Sequence, residues 1–502
     1  MTALAIVLLA GCATTTPAQR PAPAPPQASD ATFQTAAQRI AAIPSSPRAR
    51  NVIIFIGDGM GVATVTAARI YAGQRQGRDG ESYNLTLDTF PHTALSRTYG
   101  ADAQISDSAP TATALVSGVK TDAGVIGVTA GATPGDCASA AGHISRSLFE
   151  IAEAQGMGTG IVSTARLTHA TPAAAYAHVA YRDWESDVAA ARSGGAQCID
   201  IARQLIEWPE GDGFEIALGG GRANFLPNTA PDPETPTTRG ARGDGRDLTG
   251  EWTARPGHVF VWNAAQLAAA PADARVLGLF SPSHMAYESA RATDAGGEPS
   301  LAEMTQAAIR RLQRETNGYV LLVEGGRIDH AHHEGRAGEA LSETVAFDDA
   351  IRAALSMTSR EDTLIVATAD HSHTLTMSGY SPRGAPILGL SLDPDGRPAL
   401  GRDGRPYTTL GYANGPGSVF ATPPRNGEQQ AIVRPDLSGV DTQDNGFRQP
   451  SLTPLESETH GGEDVALYAW GPGDAMVAGT LEENAVFHIM ARALGMSWAT
   501  AE

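Results

Sequence analysis

The chain is short of basic residues. Across 502 residues, 36 Lys and Arg face 55 Asp and Glu, a net charge of −19, and no basic run interrupts the excess. Nucleic acid is therefore not expected as a partner, because binding to a phosphate backbone is driven by clustered cations. Long apolar runs are also missing: past residue 11 no stretch approaches the roughly 20 residues that cross a bilayer. Cysteine is scarcer still, with Cys12, Cys137 and Cys198 the only three. A metal site would have to be built from imidazole and carboxylate rather than thiolate.

What is present begins with "MTALAIVLLAGCATTTPAQRPAPAPPQASD". A short apolar segment, the run Leu9-Ala10-Gly11-Cys12 and a Thr/Pro/Ala-rich tract resemble a bacterial lipoprotein signal. On that reading residues 1–11 are a removed signal peptide, Cys12 is lipidated, and residues 12–31 form a flexible tether to a membrane. No Lys or Arg precedes the apolar run, a departure that leaves the start codon open. An ordinary cleaved secretory signal is the alternative. Either form exports the protein, to the periplasm or the cell surface. In that oxidising setting Cys137 and Cys198 are an even pair, expected to be bridged, with two buried free thiols as the alternative.

The folded part is expected from about Thr32, starting with a short amphipathic helix. Apolar runs "NVIIFIGDGMG" (51–61), "GTGIVST" (158–164), "YVLLVEGG" (319–326), "TLIVATADH" (363–371) and "DVALYAWG" (464–471) read as strands buried on both faces. Helical patterns lie between them, notably 147–156 and 339–357. This alternation predicts an α/β fold, a large mostly parallel central sheet sandwiched by helices, in one domain over 32–502. Gly/Pro/Asp/Arg-rich stretches at about 207–300 and 376–460 read as insertions on that sheet, the second a capping element.

Three predicted strands end in acids: Asp58, Glu324, and Asp370 with His371. In an open α/β sheet ligands gather beyond the carboxyl ends of the strands, so these residues can converge. Crowded carboxylates repel unless a cation joins them. The stretch "EGGRIDHAHHEGRAG" (324–338) adds more candidates. On a helix, Asp329 shares a face with both His332 and His333, and His330 points away by about 100°; spacing alone leaves His332 and His333 equal. His460, in "ETHGGEDV", sits at another loop-strand junction. Imidazole mixed with carboxylate suits zinc, and a site of carboxyl and hydroxyl oxygens suits magnesium. A nucleophile candidate is Ser108 in "ISDSAPTATALVSG", opening a helix whose N-terminus would face an anion on its oxygen; a plain helix cap is the alternative.

Six ordered blocks, "IGDGMG", "DSAPTATA", "STARLTHATPAA", "VEGGRIDHAHHEG", "TADHSHT" and "ETHGGEDV", resemble the alkaline phosphatases over about residues 50–495. The resemblance implies hydrolysis of phosphate monoesters through a phosphoserine on Ser108, at two zinc ions and one magnesium ion. It assigns Asp329, His333 and His460 to the first zinc, and Asp58, Asp370 and His371 to the second. Asp58, Thr171 and Glu324 go to magnesium, and Arg182 grips the phosphate. His169 and His330 follow the animal-type pattern, beside the magnesium and the phosphate, where enterobacterial-type members carry an acid and a lysine. Cys137 and Cys198 fall where the animal type has a disulfide.

The same resemblance points to a calcium site formed by Glu234, the Phe280 carbonyl and Glu298. Ser281 stands where that pattern has an acid and the last loop is longer, which weakens this part of the correspondence. A homodimer joined through the 376–460 segment is also implied. Two other readings remain for comparison: a phosphodiesterase of the same superfamily, and a non-catalytic surface lipoprotein that binds metal or phosphate. Sulfatases need an arginine after the nucleophile that "DSAPTAT" lacks.

Overall fold

The computed structural model describes residues 22–44, 47–418 and 434–498. The signal segment and Cys12 lie outside the described residues. Fifteen strands occur among them: β1 Asn51–Gly57, β2 His92–Arg97, β3 Gly158–Arg166, β4 Ile216–Gly220, β5 His258–Val261, β6 Arg275–Leu279, β7 Tyr319–Gly325, β8 Thr363–Ala369, β9 Ser372–His373, β10 Leu375–Met377, β11 Leu410–Gly415, β12 Ser451–Pro454, β13 His460–Gly461, β14 Val465–Trp470 and β15 Gly479–Glu482. Ten form the central sheet in the order β15-β2-β14-β8-β1-β7-β3-β4-β6-β5.

β1, β7 and β8 are buried at every position, as continuous apolar runs demand of strands covered on both sides. Alternation divides β1 between two cores. Val52, Ile54 and Ile56 join Leu115, Phe149 and Phe487 on one face, and Ile53 and Phe55 join Leu312, Phe347 and Ile351 on the other. Helices Ala31–Ala41 and Leu148–Glu153 stand close to where the sequence puts them, and Ala337–Met357 realises the longest helical pattern. All neighbours in the sheet pair in parallel except β14, which is antiparallel to both β2 and β8. The start of β14 therefore lies on the same edge as the ends of β1, β7 and β8.

Two boundaries differ from expectation. Residues 26–31, read as the end of a tether, fold onto the body: Gln27 is buried and its side chain donates to the Ser117 and Arg146 carbonyls. Asp30 then caps helix Ala31–Ala41 by accepting from Thr32 N and Phe33 N. The 207–300 stretch is not only an insertion, because it supplies β4, β5 and β6, one flank of the central sheet. These strands are short, and β5 is only partly buried, so they lack the long apolar run that marks the others. The 376–460 stretch forms mostly its own three-stranded sheet, β10-β11-β12. Cys137 and Cys198 are disulfide-bonded, with Cα atoms 5.9 Å apart.

Candidate functional site

The acids at the strand ends meet at one edge of the sheet. Three groups of side chains there bring ligand atoms within 4.8 Å of one another: Asp329, His333, His373 and His460; Asp58, Asp370 and His371; and Asp58, His169 and Glu324. Asp58 belongs to two of them. The turn after β1 brings it there, and Gly59 takes φ 67°, with a Cβ at that position falling 2.4 Å from the His373 ring.

Helix Arg327–His333 presents Asp329 and His333 on one face, His333 Nε2 lying 3.3 Å from Asp329 Oδ1. The structure separates the two histidines that spacing could not. His332 is fully buried with both ring nitrogens engaged, Nδ1 with the Tyr412 hydroxyl at 2.8 Å and Nε2 with Thr64 Oγ1 at 3.0 Å. His333 instead turns Nδ1 to the Glu458 carbonyl at 2.5 Å and leaves Nε2 toward Asp329 and His460. His460 does the same, Nδ1 bonding the Ser106 carbonyl at 2.7 Å. His371 turns Nδ1 to the Ser372 carbonyl at 3.3 Å and Nε2 to Asp58 and Asp370, 3.4 Å from each. A ring whose Nδ1–H is held by a carbonyl offers a bare Nε2 lone pair, the arrangement that orients imidazole for a metal.

The acids carry a charge problem that a bound cation relieves. Asp58, Glu324 and Asp370 are completely buried. Burial, followed by repulsion from Asp370, Asp329 and Glu324, pushes the Asp58 carboxyl well up. Burial raises Glu324 to about 7, and Asp370 is raised by the same cause. Oxygens are left over as well: Asp58 Oδ2, Glu324 Oε1 and Thr171 Oγ1 are buried and without a hydrogen-bond partner among the described residues. Orphaned carboxylate oxygens at 0% exposure fit oxygen-ligated magnesium, and three Nε2 lone pairs with carboxylates fit zinc.

Ser108 opens helix Ser108–Ser117, with Asp107 capping it by accepting from Ala109 N. Its Oγ is 3.3 Å from Asp58 Oδ1 and 3.2 Å from His371 Nε2. Arg182 reaches the same edge, NH1 3.3 Å from Asp107 Oδ1 and NH2 3.2 Å from His169 Nε2. His169 thus stands between Arg182 and the acids. His330 turns away from Asp329 and packs on His169 and His284, ring centroids 5.5 and 4.0 Å apart. Burial, with Arg327 and Arg166 nearby, lowers it to about 3, so it is neutral at physiological pH.

Two residues of the site escape the sequence reading. His373 bonds Asp329 Oδ1 through Nε2 at 2.7 Å and the Glu458 carboxylate through Nδ1. Burial opposes its charge, yet these two acids raise it to about 10. His373 is therefore a cation that positions Asp329 rather than a fourth ligand. The signal was present as period-two spacing in "HSH" and "ETH": β9 and β13 are extended and paired, so His373 and Glu458 fall beside His371 and His460.

The calcium expectation fares differently. Glu234 is taken by Arg222, NH2 to Oε2 at 2.8 Å, in a buried network with Asp232. Glu298 accepts from Ala286 N, and Ser281 offers no carboxylate between them. Arg222 thus shares Glu234, while burial, with Asp294 and Glu234 close by, raises Glu298 to about 7.

The family model for alkaline phosphatase matches residues 49–496. The tissue-nonspecific alkaline phosphatase of Gallus gallus is 46% identical over 460 residues, 89% of this chain and 84% of that protein. A membrane-bound alkaline phosphatase of Bombyx mori is 42% identical over 462 residues, 89% and 80% of the two chains. Among solved structures, Thermus thermophilus alkaline phosphatase superposes with a TM-score of 0.64 at 26% identity, covering 93% of this chain and 95% of that one. With a match that runs from before β1 to beyond β15 and a cluster of acids that demands cations, the chain belongs to the alkaline phosphatase family and is a metal-dependent phosphomonoesterase.

Proposed function

We propose that the chain hydrolyses phosphate monoesters to alcohol and inorganic phosphate through a covalent phosphoserine on Ser108, at two zinc ions and one magnesium ion. The observation that carries this reading is the position of Ser108 Oγ, at a helix N-terminus and within 3.3 Å of an aspartate shared by two ligand clusters. Asp329, His333 and His460 would hold the first zinc, Asp58, Asp370 and His371 the second, and Asp58, Thr171 and Glu324 the magnesium. When bound, these ions supply Lewis acidity toward the phosphoryl oxygens and cancel the charge of the acids.

The chain's own residues account for the rest. Asp58 Oδ1 and His371 Nε2, both assigned to the second zinc, lie within 3.3 Å of Ser108 Oγ and set its position, and the positive end of helix Ser108–Ser117 favours its oxyanion once the proton has passed to solvent. Oγ attacks phosphorus, the ester P–O bond breaks, and the electron pair leaves with the alcohol oxygen, which is then protonated. Water attacks the phosphoserine in the second displacement, releasing phosphate and restoring the hydroxyl. Arg182 offers a forked pair of donors matched to two phosphate oxygens, and Asp107 and His169 hold that fork beside Ser108. His169, neutral where an acid would add charge, would weaken magnesium binding.

We extend the reading to the whole chain: an exported protein with one catalytic domain over 32–502, anchored through lipidated Cys12 after cleavage of residues 1–11, and homodimeric through 376–460. The disulfide supports export.

Elemental analysis should return two zinc and one magnesium per chain. Ser108→Ala should abolish turnover of p-nitrophenyl phosphate while zinc stays bound; surviving activity would sink the nucleophile assignment. Faster turnover of the bis-ester than of the mono-ester would favour the phosphodiesterase reading.

A further inference from the structure

Beside the magnesium-type cluster lies a set of donors that the reaction above leaves unused. Arg327, the first residue of helix Arg327–His333, lays its guanidinium over the Tyr287 ring, 3.8 Å from the centroid. No acid lies within 4.0 Å of it among the described residues, and its Nε is buried without a hydrogen-bond partner. The His284 ring packs beside them, 4.0 Å from His330 and 5.4 Å from His169, with both its nitrogens engaged by Arg166, Nδ1 by the backbone N at 3.3 Å and Nε2 by the guanidinium. The Nδ1 atoms of His169 and His330 are likewise buried and unpartnered.

Glu298 and Glu343 feel this charge without forming an ion pair with it. Arg166 borders the rings, bonding His284 while its other nitrogens are committed to Glu185. The carboxyls on the Tyr287 side are engaged elsewhere: Glu298 by Ala286 N, Glu343 by Glu288 N, and Glu334 by the Tyr287 hydroxyl and Arg336. Arg327, Tyr287, His284 and His330 are all partly exposed, so the patch is open to solutes. It is also continuous with the reaction site, since His169 Nε2 is 3.2 Å from Arg182 and its ring belongs to the Asp58–Glu324 cluster.

We propose that Arg327, flanked by His330, forms a second anion subsite that holds a distal phosphoryl group, so that the preferred substrates are phosphate monoesters bearing a second phosphate a short spacer away. The proposal rests on the phosphatase reading and deepens it. Stacking on Tyr287 strips water from one face of the guanidinium and leaves its edge donors free, where a charge-assisted bond to phosphate is strongest. On a chain of net charge −19, a local cation of this kind is what a doubly phosphorylated substrate needs, because the long-range field repels it.

The test compares kcat/KM for 1,3-propanediol bisphosphate and for propyl phosphate, after correction for the two equivalent ends of the former. The wild-type protein should favour the bisphosphate about ten- to a hundredfold, the worth of one or two charge-assisted bonds. Arg327→Met should pull that ratio toward one, mainly through KM, and Arg327→Lys should restore part of it. A wild-type ratio at or below one, or a ratio unchanged in folded Arg327→Met, overturns the subsite. If Arg327→Met does not fold, Arg327→Lys and Arg327→Gln are read by the same ratio, and no change in either overturns it equally. Failure of the wild-type protein to turn over either ester would instead refute the phosphatase reading.

Discussion

Replacing Glu343 by Gln should stabilise the protein progressively as the pH rises above about 5. Glu343 lies on helix Ala337–Met357, completely buried beneath helix Glu288–Arg291, and accepts from Glu288 N at 2.5 Å. Burial raises its carboxyl from 4.5 to about 8, with Glu288 and Glu339 adding to the shift and Arg327 opposing it. The sign follows from proton linkage. Below pH 4.5 both states hold the proton and the substitution changes little. Between about 4.5 and 8 the unfolded chain ionises while the folded one resists, so folding loses about 1.4 kcal/mol per pH unit. Above about 8 the penalty levels off near an upper limit of about 5 kcal/mol. Glutamine keeps an acceptor for Glu288 N and never ionises. Denaturant midpoints of metal-loaded wild-type and Glu343→Gln proteins at pH 5, 7 and 9 should therefore coincide at the first and diverge progressively. Comparison at each pH removes the titration of the metal ligands, which the two proteins share. A gain independent of pH, or a loss at pH 9, would refute the account of Glu343 as a strained carboxylate.

Other consequences are as direct. His333→Ala should lose one zinc equivalent by elemental analysis. His332→Gln should keep the full complement and cost only about 1–2 kcal/mol of stability, since both its nitrogens are spent on Thr64 and Tyr412. Arg222→Met leaves Asp232 and Glu234 without their buried cation and should destabilise by about 3–5 kcal/mol in thermal unfolding, with no dependence on added calcium. Removing the disulfide as Cys137→Ala/Cys198→Ala, which opens a sequence separation of 61 residues, should cost about 4 kcal/mol in denaturant melts.

The central strands were legible because β1, β7 and β8 are continuous apolar runs that end in acids, and two-sided burial leaves that mark in any sequence. β4, β5 and β6 were not, since short strands on one flank, one of them only partly buried, need few apolar residues. Spacing narrowed the zinc ligand to His332 or His333. What divides them is distant chain: Tyr412 and Thr64 claim one ring, and the Glu458 carbonyl orients the other. His373 was passed over for a related reason. Period-two spacing in "HSH" and "ETH" hints at it, but its role depends on a pairing of β9 with β13 across nearly ninety residues. Glu234 alone likewise does not reveal that Arg222 will pair with it.

The antiparallel run of β14 has a consequence in time. A chain made from its N-terminus completes the Asp58–Glu324 cluster first and the Asp58–Asp370–His371 cluster next, but the Asp329–His333 pair waits for His460, which arrives only as the sheet gains β14. Metal uptake at that last position, as proposed, would need a nearly finished molecule. A protein cut short before residue 460 would lack a member of the third cluster together with β14 and Phe487 of the core, so on the reading proposed above the last ion would be loaded only by a chain made nearly to its end.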